Sequence, residues 1–230
     1  MQRRGIRGAK LRVVLNGTLG SPRLAGTKPA AAALKRPAIV FVGGLLPRKA
    51  VDHLIRAFDV VRSGTPGVTL YLVGDGPNRA EYEALARQLG SGDSVQFCGR
   101  AGDPRPYLLG CDIFVLASHA DPAPLVITEA REAGCAIVAT AVDGIPELLD
   151  HGEAGILVPP GDCKALANAI AGLLDDREML ARMRERSRRN LERMSVARVV
   201  EETLGIYREA LAPPRPLHIE HPDVEARPSG

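Results

Sequence analysis

Two acidic residues, Asp121 and Glu129, stand on either side of a proline-containing loop, with seven residues between them. Asp121 lies in the loop after the apolar run DIFVLAS, and Glu129 falls about one turn into the next predicted helix. The amides of Leu125 and Val126 open that helix, where N–H groups without helical acceptors can bind a phosphate. A carboxylate one turn further on can accept hydrogen bonds from sugar hydroxyls. Each acid also has a simpler interpretation, Asp121 as a turn residue and Glu129 as a favourable first-turn charge.

A second candidate anion site follows the first predicted strand, in the sequence VGGLLPRKA. Gly43 and Gly44 allow the backbone to come close to a ligand, because neither carries a Cβ. Lys49 stands at the predicted start of a helix, where amide dipoles favour a negative charge and an ammonium group suits a phosphate. Taken alone, the sequence favours a tight strand-to-helix turn with a surface lysine.

A third glycine-rich turn, VGDGPN, gives a weaker signal. Gly74 and Gly76 have the start of a dinucleotide-binding pattern, but Arg79 stands where the third glycine would be. A turn that starts a helix at Pro77 is the better interpretation.

Six short β-rich runs alternate with helical patterns, which is typical of βαβ units around a parallel sheet. The runs are apolar throughout, as expected for strands that helices cover on both faces. The predicted strands are 38–43, 68–74, 94–99, 112–118, 136–140 and 155–159, and the predicted helices include 49–64, 77–90, 162–174, 176–193 and 195–211. We therefore expect an α/β fold with a Rossmann-like parallel sheet, which binds ligands outside the carboxyl ends of its strands.

The composition disfavours several classes of partner. Aromatic residues make up 3% of the chain and tryptophan is absent, which argues against a surface that stacks on nucleic-acid bases. The four cysteines are far apart in sequence, so no metal-binding spacing is present and we expect no metal. No apolar run approaches the ~20 residues that span a bilayer. The basic amino terminus lacks the apolar core of a secretory signal, and we expect a cytoplasmic protein.

The arginine-rich segment 182–193 has two interpretations. A solvated helix face is the simpler one, because runs of charge usually lie in water. An anion-binding role is the alternative that the sequence leaves open.

Five segments, taken in chain order, resemble the carboxyl-terminal, donor-binding half of family 4 glycosyltransferases: FVGGLLPRKAVDHLIRAF, LYLVGDGP, VQFCGRAGDPRPYLLGCDIFVLAS, DPAPLVITEAREAGCAIVATAVDGIPELL and GEAGILVPPGD. These are retaining, metal-independent enzymes, so the resemblance implies half of a GT-B fold, a nucleoside diphosphate sugar as donor and no cofactor. It implies that Lys49 binds the donor diphosphate and that Asp121 contacts the donor sugar, which makes these two the catalytic residues. It further implies that Glu129 holds the ribose and that the amides of Leu125 and Val126 hold the phosphate.

The resemblance also places the backbone that reads the nucleotide base at Gly99 and Arg100. Three features depart from the family pattern. Gly44 stands where the family usually has an arginine on the diphosphate, and Arg48 is the candidate substitute. Asp121 is one methylene shorter than the usual glutamate, and the two prolines of its loop have no N–H to donate.

One folded domain, 37–212, is expected to bind the nucleotide sugar. Residues 1–36 would be a remnant or linker with one strand candidate at 11–17, and 213–230 would be a disordered proline-rich tail. A GT-B enzyme needs a second domain of comparable size for the acceptor, which the first 36 residues are too few to form. A separate acceptor-domain chain is therefore a candidate partner.

Two functions from different classes follow from this resemblance. The first is a glycosyltransferase homologue that binds a nucleoside diphosphate sugar for retaining, metal-independent transfer to an acceptor hydroxyl, with an acceptor domain supplied from elsewhere. The second is a non-catalytic nucleotide-sugar-binding or interaction module. A nucleotide-binding protein without sugar chemistry fits the motif order less well. We expect neither nucleic-acid binding nor a transmembrane segment, and contact with a membrane surface is left open.

Overall fold

The computed structural model describes residues 12–14, 16–17 and 31–211. The predicted tail 213–230 and most of the segment 1–36 lie outside these residues. The strand predicted across 11–17 is wrong for the part that is described, because residues 12–14 and 16–17 belong to no strand.

A six-stranded parallel sheet forms the centre of the fold, in the order β3-β2-β1-β4-β5-β6. Each strand overlaps a predicted one: β1 (Ala38–Val42), β2 (Thr69–Val73), β3 (Val95–Gly99), β4 (Ile113–Leu116), β5 (Ala136–Thr140) and β6 (Ile156–Val158). The predicted Rossmann-like sheet is therefore confirmed. The strand order reverses between β1 and β4, so a crevice opens at the carboxyl ends of these two strands.

Eight α-helices connect or follow the strands in the described part of the chain: α1 (Val51–Gly64), α2 (Arg79–Gln88), α3 (Arg105–Gly110), α4 (Leu125–Ala133), α5 (Ile145–Leu148), α6 (Cys163–Asp175), α7 (Arg177–Ser187) and α8 (Val196–Leu211). The helix α1 buries five apolar side chains whose spacing places them on one helical face: Val51, Leu54, Ile55, Phe58 and Val61. Asp162 caps α6, since its side chain accepts a hydrogen bond from the N–H of Ala165 at 2.8 Å.

The sheet is covered on both faces. Four successive residues of β1 and all five of β5 are buried. Because successive side chains in a strand point to opposite faces, this burial requires packing on each side. The helix α1 packs against α2 and α6, and α3 packs against α4.

The helices depart from the sequence prediction in four places. The helix predicted from Pro77 begins at Arg79 instead, after a turn. The pattern 176–193 does not form one helix, because Asn190 has a left-handed backbone (φ 56°) that separates α7 from a short 3-10 turn at Leu191–Met194. Two helices, α3 and α5, were not predicted, since six and four residues are too few to show a helical period.

Candidate functional site

Lys49 and Asp121 lie against each other across the crevice between β1 and β4. Lys49 ends a 3-10 turn after β1 and is 7% exposed, and Asp121 follows β4 and is 6% exposed. The Lys49 ammonium donates a hydrogen bond to the Asp121 carboxylate and forms an ion pair with it. Lys49 is therefore not the surface lysine of the simpler interpretation. A buried ammonium needs such a partner, because burial removes its hydration.

The backbone around Lys49 fixes where its side chain points. Ala50 has a left-handed conformation (φ 47°), which ends the 3-10 turn and starts α1 in a new direction. This conformation costs a residue with a Cβ roughly 1–2 kcal/mol. The turn that brings Lys49 into the crevice therefore lowers the stability of the fold by this amount.

Three further groups hold Asp121 in place. The carboxylate of Asp143, in the loop after β5, accepts a hydrogen bond from the Asp121 N–H at 2.7 Å. The hydroxyl of Ser118 lies 3.4 Å from the Asp121 carboxylate, and Arg48 Nη1 lies 3.7 Å from its other oxygen. Asp121 is therefore positioned by the loops that follow three neighbouring strands, β1, β4 and β5.

Arg48 also joins the two loops directly. Its carbonyl accepts a hydrogen bond from the His119 N–H at 2.8 Å, and its guanidinium reaches the carbonyl of Ala120 at 3.4 Å. The Arg48 side chain is about half exposed, which leaves donors at the mouth of the crevice. Arg48 therefore ties the loop after β1 to the loop after β4.

The helix α4 begins at Leu125, as the sequence predicts. Pro124 occupies the cap position with no side-chain hydrogen bond to the helix. The first-turn amides of Leu125 and Val126 have no acceptor within the helix, and Leu125 is exposed. The start of α4 therefore has amides that can meet an anion.

Glu129 is the fifth residue of α4 and lies in a different electrostatic setting from Asp121. Burial raises the pKa of Glu129. The negative charges of Glu132 and Asp103 raise this pKa further, and the positive charge of Arg105 lowers it. Asp103 and Arg105 are themselves an ion pair at the start of α3, at 2.6 Å. The structure brings Lys49 and Asp121 together and places Glu129 beside this second pair.

A cavity of about 260 Å³ opens at the carboxyl ends of β1 and β2. It is lined by Val42, Gly43, Gly44, Val73, Gly74, Asp75, Arg100, Ala101 and Pro104. Gly74 permits the shape of this cavity, because a Cβ there would lie 1.9 Å from the carbonyl oxygen of Gly43. Its N–H donates to the carbonyl of Gly99 at 2.8 Å, which fixes the turn beside Arg100. Of the predicted residues, Gly43, Gly44 and Arg100 thus share one cavity.

Sequence reasoning missed three polar groups at the site. Ser118, Asp143 and Asp75 were not selected, although Ser118 ends a predicted strand and the other two lie within three residues after one. That position is the available signal, because side chains after parallel strands meet at one edge of the sheet. Within the described residues, no group of three or more histidines, cysteines and acids is placed to hold a metal ion. In the same part of the chain, no helix is long and apolar enough to cross a membrane.

Comparison with known proteins identifies the fold and its family. Residues 27–190 match the family described as Glycosyl transferases group 1. The chain is 36% identical over 155 residues to the lipopolysaccharide core biosynthesis glycosyltransferase LpsE of Rhizobium meliloti, covering 67% of this chain and 44% of that protein. It is 33% identical over 203 residues to the D-inositol 3-phosphate glycosyltransferase of Saccharomonospora viridis, covering 81% and 47%. The chain thus spans about half the length of these relatives.

A solved structure agrees with the sequence matches. Anabaena Alr3699/HepE in complex with UDP superposes with a TM-score of 0.68 at 28% identity, over 74% of this chain and 49% of that one. The six-stranded parallel sheet and the matched sequence are those of the carboxyl-terminal half of a GT-B glycosyltransferase. The chain therefore belongs to the Glycosyl transferases group 1 family.

Proposed function

We propose that residues 37–212 form a domain that binds a nucleoside diphosphate sugar in the crevice between β1 and β4. The observation that carries this proposal is the buried Lys49–Asp121 pair, which lies where the strand order reverses. In parallel α/β sheets this is the position at which ligands bind. The solved relative that contains UDP supports a uridine nucleotide as the first donor to test.

In this proposal each polar group of the site contacts a different part of the donor. Lys49 and the amides of Leu125 and Val126 bind the diphosphate, and Asp121 faces the donor sugar. Glu129 accepts hydrogen bonds from the ribose. The turn at Gly99 and Arg100 contacts the base through the cavity at the ends of β1 and β2. Arg48 adds a positive charge to the diphosphate side of the crevice.

The chemistry that follows is transfer of the sugar to an acceptor hydroxyl with retention and without a metal. Negative charge develops on the leaving diphosphate during such a transfer. Lys49 and the first turn of α4 would stabilise this charge, since both are in place before the donor binds. The nucleotide sugar is a substrate, and no cofactor is proposed.

The acceptor would come from a second domain, on this protein or on a separate chain. The chain spans about half the length of its relatives, and α8 has an exposed apolar stripe. The stripe consists of Val200, Leu204, Tyr207 and Leu211. Residues at this spacing share one helical face, and exposed apolar faces of this kind mark interaction sites. We propose that α8 contacts the acceptor domain.

A non-catalytic nucleotide-sugar-binding module is the second candidate. Two observations favour it. The Asp121 carboxylate already neutralises the charge of the Lys49 ammonium, and Gly44 stands where the family usually has an arginine. A module of this kind would bind a donor and would not transfer its sugar.

Calorimetric titration of the whole chain with uridine, guanosine and adenosine diphosphates and their sugars tests the proposal. We expect one nucleotide class to bind. Lys49→Ala should weaken diphosphate binding about tenfold to a hundredfold, the range for a lost charged hydrogen bond. Lys164→Ala, which removes an exposed lysine from α6, is the matched control and should change nothing.

The outcomes separate the two candidates. A folded chain that binds none of these ligands, or equal affinities in the Lys49→Ala and Lys164→Ala variants, would refute the proposed site. Binding without transfer, when an acceptor half from a full-length relative is supplied, would favour the non-catalytic module.

A further inference from the structure

A second cavity lies away from the crevice, between the turn after α5 and the connection from α7 to α8. Its volume is about 300 Å³, at the lower end of the range for ligand pockets. It is lined by Asp150, His151, Glu153, Arg186, Arg189, Asn190 and Arg193. Three of these seven residues are arginines of the segment 182–193.

The acids in this cavity are already neutralised by arginine. Asp150 pairs with Arg131, a fully buried residue of α4, at 2.9 Å, and Glu153 pairs with Arg186. Among the described residues, the side chain of Arg189 pairs with one acid, the exposed Glu185, at 3.0 Å. Exposed pairs at this spacing contribute about 0.3–0.5 kcal/mol. Arg189 can therefore exchange Glu185 for a ligand at little cost.

A further arginine faces the same space. Arg193 Nη1 lies 3.4 Å from Asp150, whose carboxylate the buried Arg131 already holds. Arg131 already neutralises Asp150, so the positive charge of Arg193 is not needed to balance it. Arg189 and Arg193 together provide forked donors of the kind that bind phosphate oxygens in pairs.

The walls of the cavity are fixed before any ligand arrives. Asp150, His151 and Asn190 have left-handed backbones, with φ of 48°, 53° and 56°. The two turns that contain them are joined by Arg131, which donates to the carbonyls of Leu148 and Arg189. A preformed cavity binds a small ligand without an ordering cost.

We propose that this cavity binds a phosphate group through Arg189 and Arg193, at a site distinct from the crevice between β1 and β4. The phosphate group can come from a free phosphorylated metabolite or from an anionic lipid headgroup, because both present the same oxygens. The site does not depend on the proposed donor binding.

The experiment titrates the whole chain with inorganic phosphate at constant ionic strength and follows binding by NMR chemical shifts. Arg189→Ala and Arg193→Ala should each weaken binding about tenfold, the effect of one lost charge-assisted contact. Arg182→Ala is a closely matched control. Arg182 and Arg189 are both 61% exposed, and both pair with a glutamate four residues before them, but Arg182 does not line the cavity.

Two further arms complete the design. Lys49→Ala should leave this phosphate binding intact, which separates it from any phosphate bound in the crevice. Sedimentation with phosphatidylcholine vesicles, with and without phosphatidylglycerol, tests the lipid source. Binding to the anionic vesicles that is lost in Arg189→Ala and kept in Arg182→Ala assigns the headgroup.

The proposal is overturned if neither phosphate nor anionic vesicles bind the folded chain. It is also overturned if Arg182→Ala weakens binding as much as Arg189→Ala, because the interaction would then be one of general surface charge. Thermal unfolding of each variant shows whether a lost interaction reflects a lost fold.

Discussion

Two buried cations, Lys49 and Arg131, differ in how much of their hydrogen-bonding capacity the protein uses. Arg131 is 0% exposed and has five N–H donors. Five acceptors surround it: the carbonyls of Ser187, Leu148 and Arg189, the carboxylate of Asp150 and the sulfur of Met194. Lys49 has three donors, and Asp121 is the one acceptor within hydrogen-bonding distance among the described residues.

This difference separates a structural cation from a binding one. A guanidinium with every donor satisfied has none left for a ligand, so Arg131 serves to join α4 to the turns around Asp150 and Asn190. An ammonium with two unused donors at the mouth of a crevice can bind an anion without leaving its partner. Burial alone does not distinguish the two residues, since both belong to the buried part of the protein, with Lys49 7% and Arg131 0% exposed.

The largest effect should come from Arg131→Met. This change leaves three carbonyls without their donor and, among the described residues, leaves Asp150 with only the longer contacts to Arg193 and Asn190, at 3.4 Å each. Breaking a buried pair costs about 3–5 kcal/mol. Lys49→Met should cost less, about 1–2 kcal/mol, because Arg48 and Ser118 still contact Asp121. Urea unfolding of both variants measures the difference. Equal losses of stability would show that the comparison is wrong.

Gly44→Arg should have the next largest effect, on affinity. An arginine there restores a second cation beside the diphosphate and should tighten nucleoside diphosphate binding about tenfold. The position tolerates a side chain, because a Cβ would meet the flexible Leu46 side chain at 3.3 Å. Calorimetry measures the change, and Gly172→Arg, which adds the same charge in open space on α6, is the control. No gain over this control would mean that Arg48 already fills the role.

Asp121→Asn should have a smaller effect with two opposite parts. Removing the carboxylate releases the charge of Lys49, so affinity for the free nucleoside diphosphate should rise about fivefold, equivalent to ~1 kcal/mol. The nucleotide sugar should lose any advantage over the free nucleotide, because Asp121 is proposed to face the sugar. Parallel titrations with both ligands measure the two parts. A variant that weakens both ligands equally would place Asp121 in a structural role.

The sequence predicted the sheet well, because six apolar runs of strand length can be buried only as central strands covered by helices. It placed Lys49 and Asp121 each in a loop after a strand, and the family resemblance, rather than the residue pattern, assigned them to one site. It did not predict that the two side chains touch, because the shape of the turn at Ala50 sets that contact. Arg131 was not recognised, since an arginine in a helical pattern usually lies in water and its acceptors come from distant segments.

The smallest expected effect is the contribution of Glu129 to the pH dependence of the unfolding free energy. Burial raises the pKa of Glu129, so between its unfolded and folded pKa values the folded state holds a proton that the unfolded chain has released. The stability contributed by this group therefore falls as pH rises through that window. Glu129→Gln should flatten the dependence of unfolding free energy on pH there, which urea unfolding at several pH values can measure.

Ligand binding should favour the ionised form of Glu129 over the protonated form, because the ionised carboxylate is the better acceptor for ribose hydroxyls. Nucleoside diphosphate affinity should then rise with pH through the raised pKa of Glu129, with release of a proton that calorimetry in two buffers detects. Glu132→Gln is the control on the same helix. Its negative charge helps to raise the pKa of Glu129, so its removal should move the window to lower pH without abolishing it. An affinity that is independent of pH in the unmodified chain would remove Glu129 from the ribose site.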